Sequence, residues 1–223
     1  MQIIFESRYR SSIIPLILHF GSVLGYSWPI VIYTSAESKF QFSTSSALGR
    51  YLKRGSVQDV APAEHILIFQ SDSMLCANAA RSVEDYFEYD FVGAPIGLEK
   101  PKGYSGGLSL RKRSSALRVI EDWDWQDSKN KDDRFEDQWF YNRFKELQED
   151  EARQGIDPEA EGAINLPTAE VARTFSVENI DYPSPLGVHQ VHRWPKDKMA
   201  PLEEWCPEYK LCNEDQVKAV PEG

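Results

Sequence analysis

The sequence predicts an α/β protein, a single domain on a mostly parallel, mixed sheet with helices on both faces. Three observations carry that reading. Strand-like and helix-like stretches alternate from residue 2 to residue 69, the pattern of βαβ units. The run Ile66-Leu67-Ile68-Phe69 is apolar at every position, as in a strand covered on both faces. The 223 residues suffice for one substantial core and do not require two.

The elements follow in order. Residues 2–6 read as a strand, 13–24 as a helix, 29–33 as a strand rich in β-branched and aromatic residues, 46–54 as a helix and 66–69 as the buried strand. Residues 11–33 contain no Asp, Glu, Lys or Arg and superficially resemble a signal-anchor. His19, Gly21, Gly25 and Pro29 interrupt them, whereas a spanning helix needs ~20 apolar residues, so a core helix and strand are expected and no transmembrane segment. No cleavable signal peptide is evident, because Met1 leads directly into the first strand. As written the chain reads as cytoplasmic, with the secretory pathway open if its amino terminus is truncated. Right-handed crossovers bring the carboxyl ends of the three strands to one edge, so Glu6-Ser7-Arg8, Thr34-Ser35 and Gln70-Ser71-Asp72 face a common crevice.

The second half is less regular. A helical turn is expected at 82–87, a strand at 90–93 ending in Ala94-Pro95, and a glycine-containing strand at 103–111. A helix at 114–123, a charged loop at 124–134 and a helix at 136–147 follow. Residues 148–162 read as a solvated acidic excursion, and 165–172 as a helix opened by Pro167-Thr168. The domain is placed at 1–194, and 195–223, with prolines and no periodicity, reads as a loosely ordered tail.

The net charge of −10 and pI near 5.0 argue against nucleic acid as a partner, since phosphate-backbone binding needs clustered Lys and Arg. Cys76, Cys206 and Cys212 form an odd set without short spacings, so nothing demands disulfides or a zinc cage.

Four groups of residues can carry chemistry. In Gln70-Ser71-Asp72 a carboxylate at a strand end suits Mg²⁺ or Mn²⁺ beside a diphosphate; equally, Asp72 caps the turn. Gly106-Gly107, followed by Arg111, Lys112 and Arg113, permits close backbone approach and concentrates positive charge; the alternative is a Gly-Gly turn with a solvated basic end. Glu136 and Asp137 open a helix, where the dipole favours carboxylates; one can serve as a general base, or both simply cap. His189 and His192 are spaced too loosely for a closed zinc site, although a single imidazole can complete a divalent site with Asp72.

Together, Leu67-Ile68-Phe69-Gln70-Ser71-Asp72, Tyr89–Pro95, Gly106–Arg111, Glu136-Asp137, Phe175-Ser176-Val177-Glu178 and Gly187-Val188-His189 resemble a large glycosyltransferase-like family still named only as a domain of unknown function, common in fungal hypothetical proteins. In order they look like a nucleotide-sugar glycosyltransferase of the A-type fold, with the similarity running over about residues 3–194. The resemblance implies a nucleotide-diphosphate sugar as donor and a hydroxyl on a glycan, protein or small molecule as acceptor. Gln70, Ser71 and Asp72 would occupy the Asp-x-Asp position, with Gln70 replacing the first carboxylate. Asp72 and His189 would hold Mn²⁺ or Mg²⁺; Gly106, Gly107 and Arg111 would line donor or acceptor; Asp137 or Glu136 would deprotonate the acceptor. A shorter connection than the family's is expected at 58–63. Two alternatives stay open: an inactive transferase-like binding module, and a metal-dependent phosphoester hydrolase using the same Asp72 corner.

Overall fold

The structure, a computed structural model, describes residues 1–6, 12–25, 27–35, 63–97 and 102–212. The helix expected at 46–54, the connection before residue 63, and Ser7 and Arg8 lie outside the described residues.

Five strands form the main sheet: β1 (Gln2–Phe5), β2 (Ile30–Tyr33), β3 (His65–Phe69), β5 (Phe91–Pro95) and β6 (Tyr104–Lys112). Their order is β2-β1-β3-β6-β5. β1 pairs in parallel with β2 and β3, so their carboxyl ends share one edge as the crossovers predict. The other half departs from a mostly parallel sheet. β6 runs antiparallel to both β3 and β5; the short 96–103 connection leaves no room for the crossover that parallel strands need.

Helices cover both faces. Helix α1 (Ile13–Leu24) buries Ile13, Leu16, Ile17 and Phe20, and Phe20 stacks on Phe69 with ring centres 4.0 Å apart. The opposed pair Leu67 and Leu110 shares that face. The opposite face carries Phe91 and Arg111, paired across β5 and β6. There α3 (Glu136–Arg153) packs Phe144 against Phe91 and Phe140 beneath the Arg111 guanidinium. Burying each such aromatic contributes roughly 1.5–3 kcal/mol. The described residues of the charge-free stretch at 11–33 thus include a core helix, α1, and a strand, β2, and among the described residues no helix is long and apolar enough to cross a membrane.

Two helical boundaries shift. α2 (Arg113–Asp122) lies within a residue of expectation, but α3 continues six residues past Leu147. The acidic stretch there is not wholly solvated, because Glu151 is buried, pairs with Arg118 at 2.8 Å and accepts the Ile164 N–H at 2.7 Å. α4 (Ala169–Phe175) starts at Thr168, whose hydroxyl accepts the Val171 N–H.

A second sheet was not anticipated. β4 (Ser73–Leu75), β7 (Ser176–Val177) and β8 (Gly187–His189) pair in the order β4-β8-β7. The loosely ordered tail also needs correction over its described part. Residues beyond Trp194 form α5 (Lys196–Trp205), with Leu202, Cys206 and Tyr209 buried. Cys206 bonds to Cys76, 130 residues away, at the end of β4, and the Trp205 indole N–H donates to the Pro185 carbonyl. Proline content predicts little here, since anchoring comes from distant partners. Cys212 remains a thiol, pushed up to about 12 by burial and then by the Asp72 carboxylate.

Candidate functional site

The small sheet delivers the site by register. Ser73 pairs with His189 across β4 and β8, and Val177 pairs with Val188 across β7 and β8. Asp72, the residue before β4, and Glu178, the residue after β7, reach the two sides of the His189 ring. Nε2 lies 3.4 Å from Asp72 Oδ1 and 3.1 Å from Gln70 Oε1. Nδ1 lies 3.2 Å from Glu178 Oε2 and 3.2 Å from Ser105 Oγ. His189 is 5% exposed, Asp72 15% and Glu178 13%.

Burial alone would lower the His189 pKa, but hydrogen bonds and attraction from Asp72 and Glu178 outweigh it and raise the group to about 9. Burial pushes both carboxyls up, and their bonds to His189 outweigh this and hold both below their ordinary values. The ring is therefore an imidazolium at neutral pH, donating from both nitrogens.

The glycine pair joins this cluster to a second one. A Cβ on Gly107 would sit 2.1 Å from His189 Cε1 and Nε2, and a Cβ on Gly106 would sit 3.0 Å from Arg111 Nη2 and Asp137 Cβ. Successive Cβ positions of a strand point to opposite sides, so His189 and Asp137 lie on either side of β6. The close approach that paired glycines predict is thus to protein side chains. The Gly107 carbonyl accepts from the Gln70 N–H at 2.8 Å and the Ser73 hydroxyl at 2.6 Å, locking β6 to the β3–β4 turn. Ser71 lies within that turn.

On the far side, Asp137 Oδ2 accepts the Gly106 N–H at 2.8 Å, and Oδ1 accepts the Gln138 N–H at 2.8 Å. Glu136, beside it in the first turn of α3, is engaged by the Arg111 guanidinium through both of its oxygens. Arg111 is buried, with its guanidinium carbon over the rings of Phe91 and Phe140. It fixes Glu136 rather than presenting a free cation.

All nine residues singled out from sequence therefore fall near one sheet edge, but in two groups: Gln70, Ser71, Asp72, Gly107 and His189 on one side, Gly106, Arg111, Glu136 and Asp137 on the other. Sequence reasoning gave no role to Glu178 or Ser105. Glu178 follows the buried pair Ser176-Val177, and only the strand register shows that it meets His189.

A divalent cation needs ligands converging on one point. Here the two carboxylates face opposite nitrogens of one ring, at 3.4 Å and 3.2 Å, rather than a common point. Among the described residues, no three His, Cys, Asp or Glu are grouped to hold a metal ion. As arranged, the set does not fit a cation held by Asp72 and His189.

The triad makes stability pH-dependent. A raised histidine pKa stabilises fully below the unfolded value near 6.5 and loses that contribution as pH rises through about 9. The lowered carboxyls contribute above their unfolded values and lose it as pH falls through the folded ones. In metal-free buffer, urea unfolding of the wild type should lose roughly 2–3 kcal/mol between about pH 7 and 10. The His189→Gln variant should lose much less of it; equal losses would remove His189 as the titrating group.

These features define a mixed α/β protein with an acidic, histidine-bridged cluster at the carboxyl edge of its parallel strands. The chain belongs to the family described as Protein of unknown function (DUF5672), which matches residues 33–189. No curated protein matches the sequence. Among solved structures, it is similar to a glycosyltransferase involved in glycosylation of the major capsid of PBCV-1, at 12% identity and a TM-score of 0.44, covering 92% of this chain and 97% of that one. It is also similar to the glycosyltransferase GlyE of Streptococcus pneumoniae TIGR4, at 15% identity and a TM-score of 0.39, covering 98% of this chain and 64% of that one. The apo form of GlyE gives a TM-score of 0.37, with 63% of that chain spanned. Likeness at this level assigns no residue a role.

Proposed function

We propose that the chain is a glycosyltransferase of the A-type fold, which seats a nucleotide-diphosphate sugar at the carboxyl edge of β1 and β3 and transfers the sugar to an acceptor hydroxyl. One observation carries the reading. The polar end of β3, the Gly106-Gly107 step of β6 and the acidic first turn of α3 meet at the edge where open α/β sheets bind ligands.

In the reaction, the acceptor oxygen attacks the anomeric carbon, the bond to the diphosphate breaks, and the diphosphate leaves with the electron pair. Asp137 takes the hydroxyl proton. Each Asp137 oxygen accepts one backbone N–H, and a carboxylate oxygen has two lone-pair sites, so room for the acceptor hydroxyl remains. The Gln70-Ser71-Asp72 turn contacts the diphosphate through its backbone and the Ser71 hydroxyl, and Asp72, paired with the His189 ring at 3.4 Å, fixes that turn, so that its loss weakens donor binding. Two carboxylates against one imidazolium leave an arriving diphosphate with uncompensated charge, so Mn²⁺ and Mg²⁺ enter as arms of the test. No step of the reaction is assigned to either.

Asp137→Asn should lower transfer at least about a hundredfold and leave donor affinity within about twofold, measured by product formation and by calorimetric titration of the donor. Unchanged turnover would remove Asp137 from the chemistry. A binding module without transfer is the second reading, favoured by the engagement of both Glu136 oxygens by Arg111. It predicts donor binding with no product from any acceptor, whereas phosphate release from simple esters would point instead to a hydrolase.

A further inference from the structure

Beside the strand-end site runs a groove of about 540 Å³ that the reaction does not use. Trp123, Trp125, Trp139 and Phe140 line it, together with carboxylates that include Glu121 and Asp122. It reaches Glu136, the residue next to Asp137 in the first turn of α3.

The groove is built rather than incidental. The Trp125 indole N–H donates to the Asp133 carbonyl at 2.7 Å, which fixes the ring while leaving it 49% exposed. The Asp133 side chain is buried and accepts from Ser128, from Asn142 at 2.6 Å and from Arg143 at 3.3 Å, tying the 125–134 loop to α3. Trp139, 4% exposed, forms the floor and meets Phe140 edge-on at 4.9 Å.

The chemistry of the lining selects a ligand class. None of the described residues lining the groove is Lys, Arg or His, so an anionic ligand such as a nucleotide diphosphate or a sulfated glycan would face carboxylates unaided. A cationic ligand fares little better. Arg143 already lies over the Trp123 ring at 5.8 Å and Arg111 over the Phe140 ring at 5.2 Å, so those ring faces are taken and offer a further cation no stacking contact, and exposed carboxylates attract one only weakly through solvent. What remains is a neutral ligand with hydroxyl groups and an apolar face. A pyranose has both: its axial C–H bonds present slightly positive hydrogens to the electron-rich face of an indole, and its hydroxyls donate to carboxylates in charge-assisted hydrogen bonds.

We propose that this groove binds a neutral oligosaccharide, the non-reacting part of the acceptor, with Trp125 as the stacking platform and Glu121 and Asp122 accepting its hydroxyl hydrogens. The word acceptor rests on the transferase reading; the carbohydrate binding does not.

The test is calorimetric titration of the full chain with neutral di-, tri- and tetrasaccharides of glucose, N-acetylglucosamine, mannose and galactose, beside a tetralysine peptide and a sulfated tetrasaccharide. At least one neutral series should bind, more tightly as it lengthens, with little change at about 0.5 M salt, where exposed charge pairs are screened. Trp125→Ala should weaken it about tenfold or more and Trp125→Phe by less, with melting curves confirming that both variants fold. Absence of binding by every neutral sugar, preference for the peptide or the sulfated sugar, or wild-type affinity in Trp125→Ala would each overturn the proposal. Nucleoside diphosphates titrated in parallel separate the two readings, because Trp125→Ala should bind them as the wild type does. Oligosaccharide binding without diphosphate binding would keep the groove and sink the transferase; the reverse would sink the groove alone.

Discussion

Replacing Gly107 with alanine is expected to destabilise the protein by about 3 kcal/mol or more and to dislodge His189 from its two carboxylates. The added methyl would lie 2.1 Å from two atoms of the ring and 2.5 Å from a third, so something must move. The strand cannot retreat easily, because its Gly107 carbonyl holds both the Gln70 N–H and the Ser73 hydroxyl. The ring cannot swing freely either, being 5% exposed with a carboxylate at each nitrogen. Overpacking typically costs about 1–3 kcal/mol, and separating a buried ion pair leaves uncompensated charge on top of that. Gly106→Ala makes the informative contrast. Its nearest neighbours are 3.0 Å away, one of them the end of the Arg111 side chain, so its cost should be about 1–2 kcal/mol. Urea unfolding of both variants measures the difference, and a Gly107→Ala protein as stable as the Gly106→Ala one would show that the ring does not pack there.

The second large effect is reduction of the Cys76–Cys206 disulfide. It closes 130 residues of chain, and loop-closure entropy on that scale amounts to about 4–5 kcal/mol. The reduced protein should melt some 10–15 °C lower. The loss should be felt at the site, since Cys76 directly follows β4, whose Ser73 pairs with His189. Double replacement of Cys76 and Cys206 by serine should reproduce the effect of reductant. A melting curve indifferent to both would remove the disulfide from the account.

How much of this was legible in the sequence depended on how local each signal was. The strand-like Gln2–Phe5, the β-branched Ile30–Tyr33, the apolar run at Ile66–Phe69 and the apolar face of α1 announced three parallel strands and a covering helix, because each element carries its own pattern. The carboxylates opening α3 and the threonine opening α4 were legible for the same reason. Strands of two or three residues such as Ser176–Val177 and Gly187–His189 are too short to show a period, so the sheet that sets Glu178 against His189 left no trace. The antiparallel insertion of β6 between β3 and β5 was equally hidden, since strand order is a tertiary choice. The glycine pair was visible, but not its purpose: only the contacts show that Gly107 makes room for an imidazole and Gly106 for Asp137 and Arg111.

The central claim is that the Gln70–Asp72 end of β3 receives a nucleotide diphosphate. Calorimetric titration of UDP and GDP, alone and as their sugars, into wild type and Asp72→Asn, each with and without Mn²⁺ or Mg²⁺, tests it most directly. At least one nucleotide should bind the wild type, and Asp72→Asn should weaken it about tenfold or more, a change of about 1.4 kcal/mol. Failure of every nucleotide to bind under any condition, or equal affinity in the two proteins, would contradict the account.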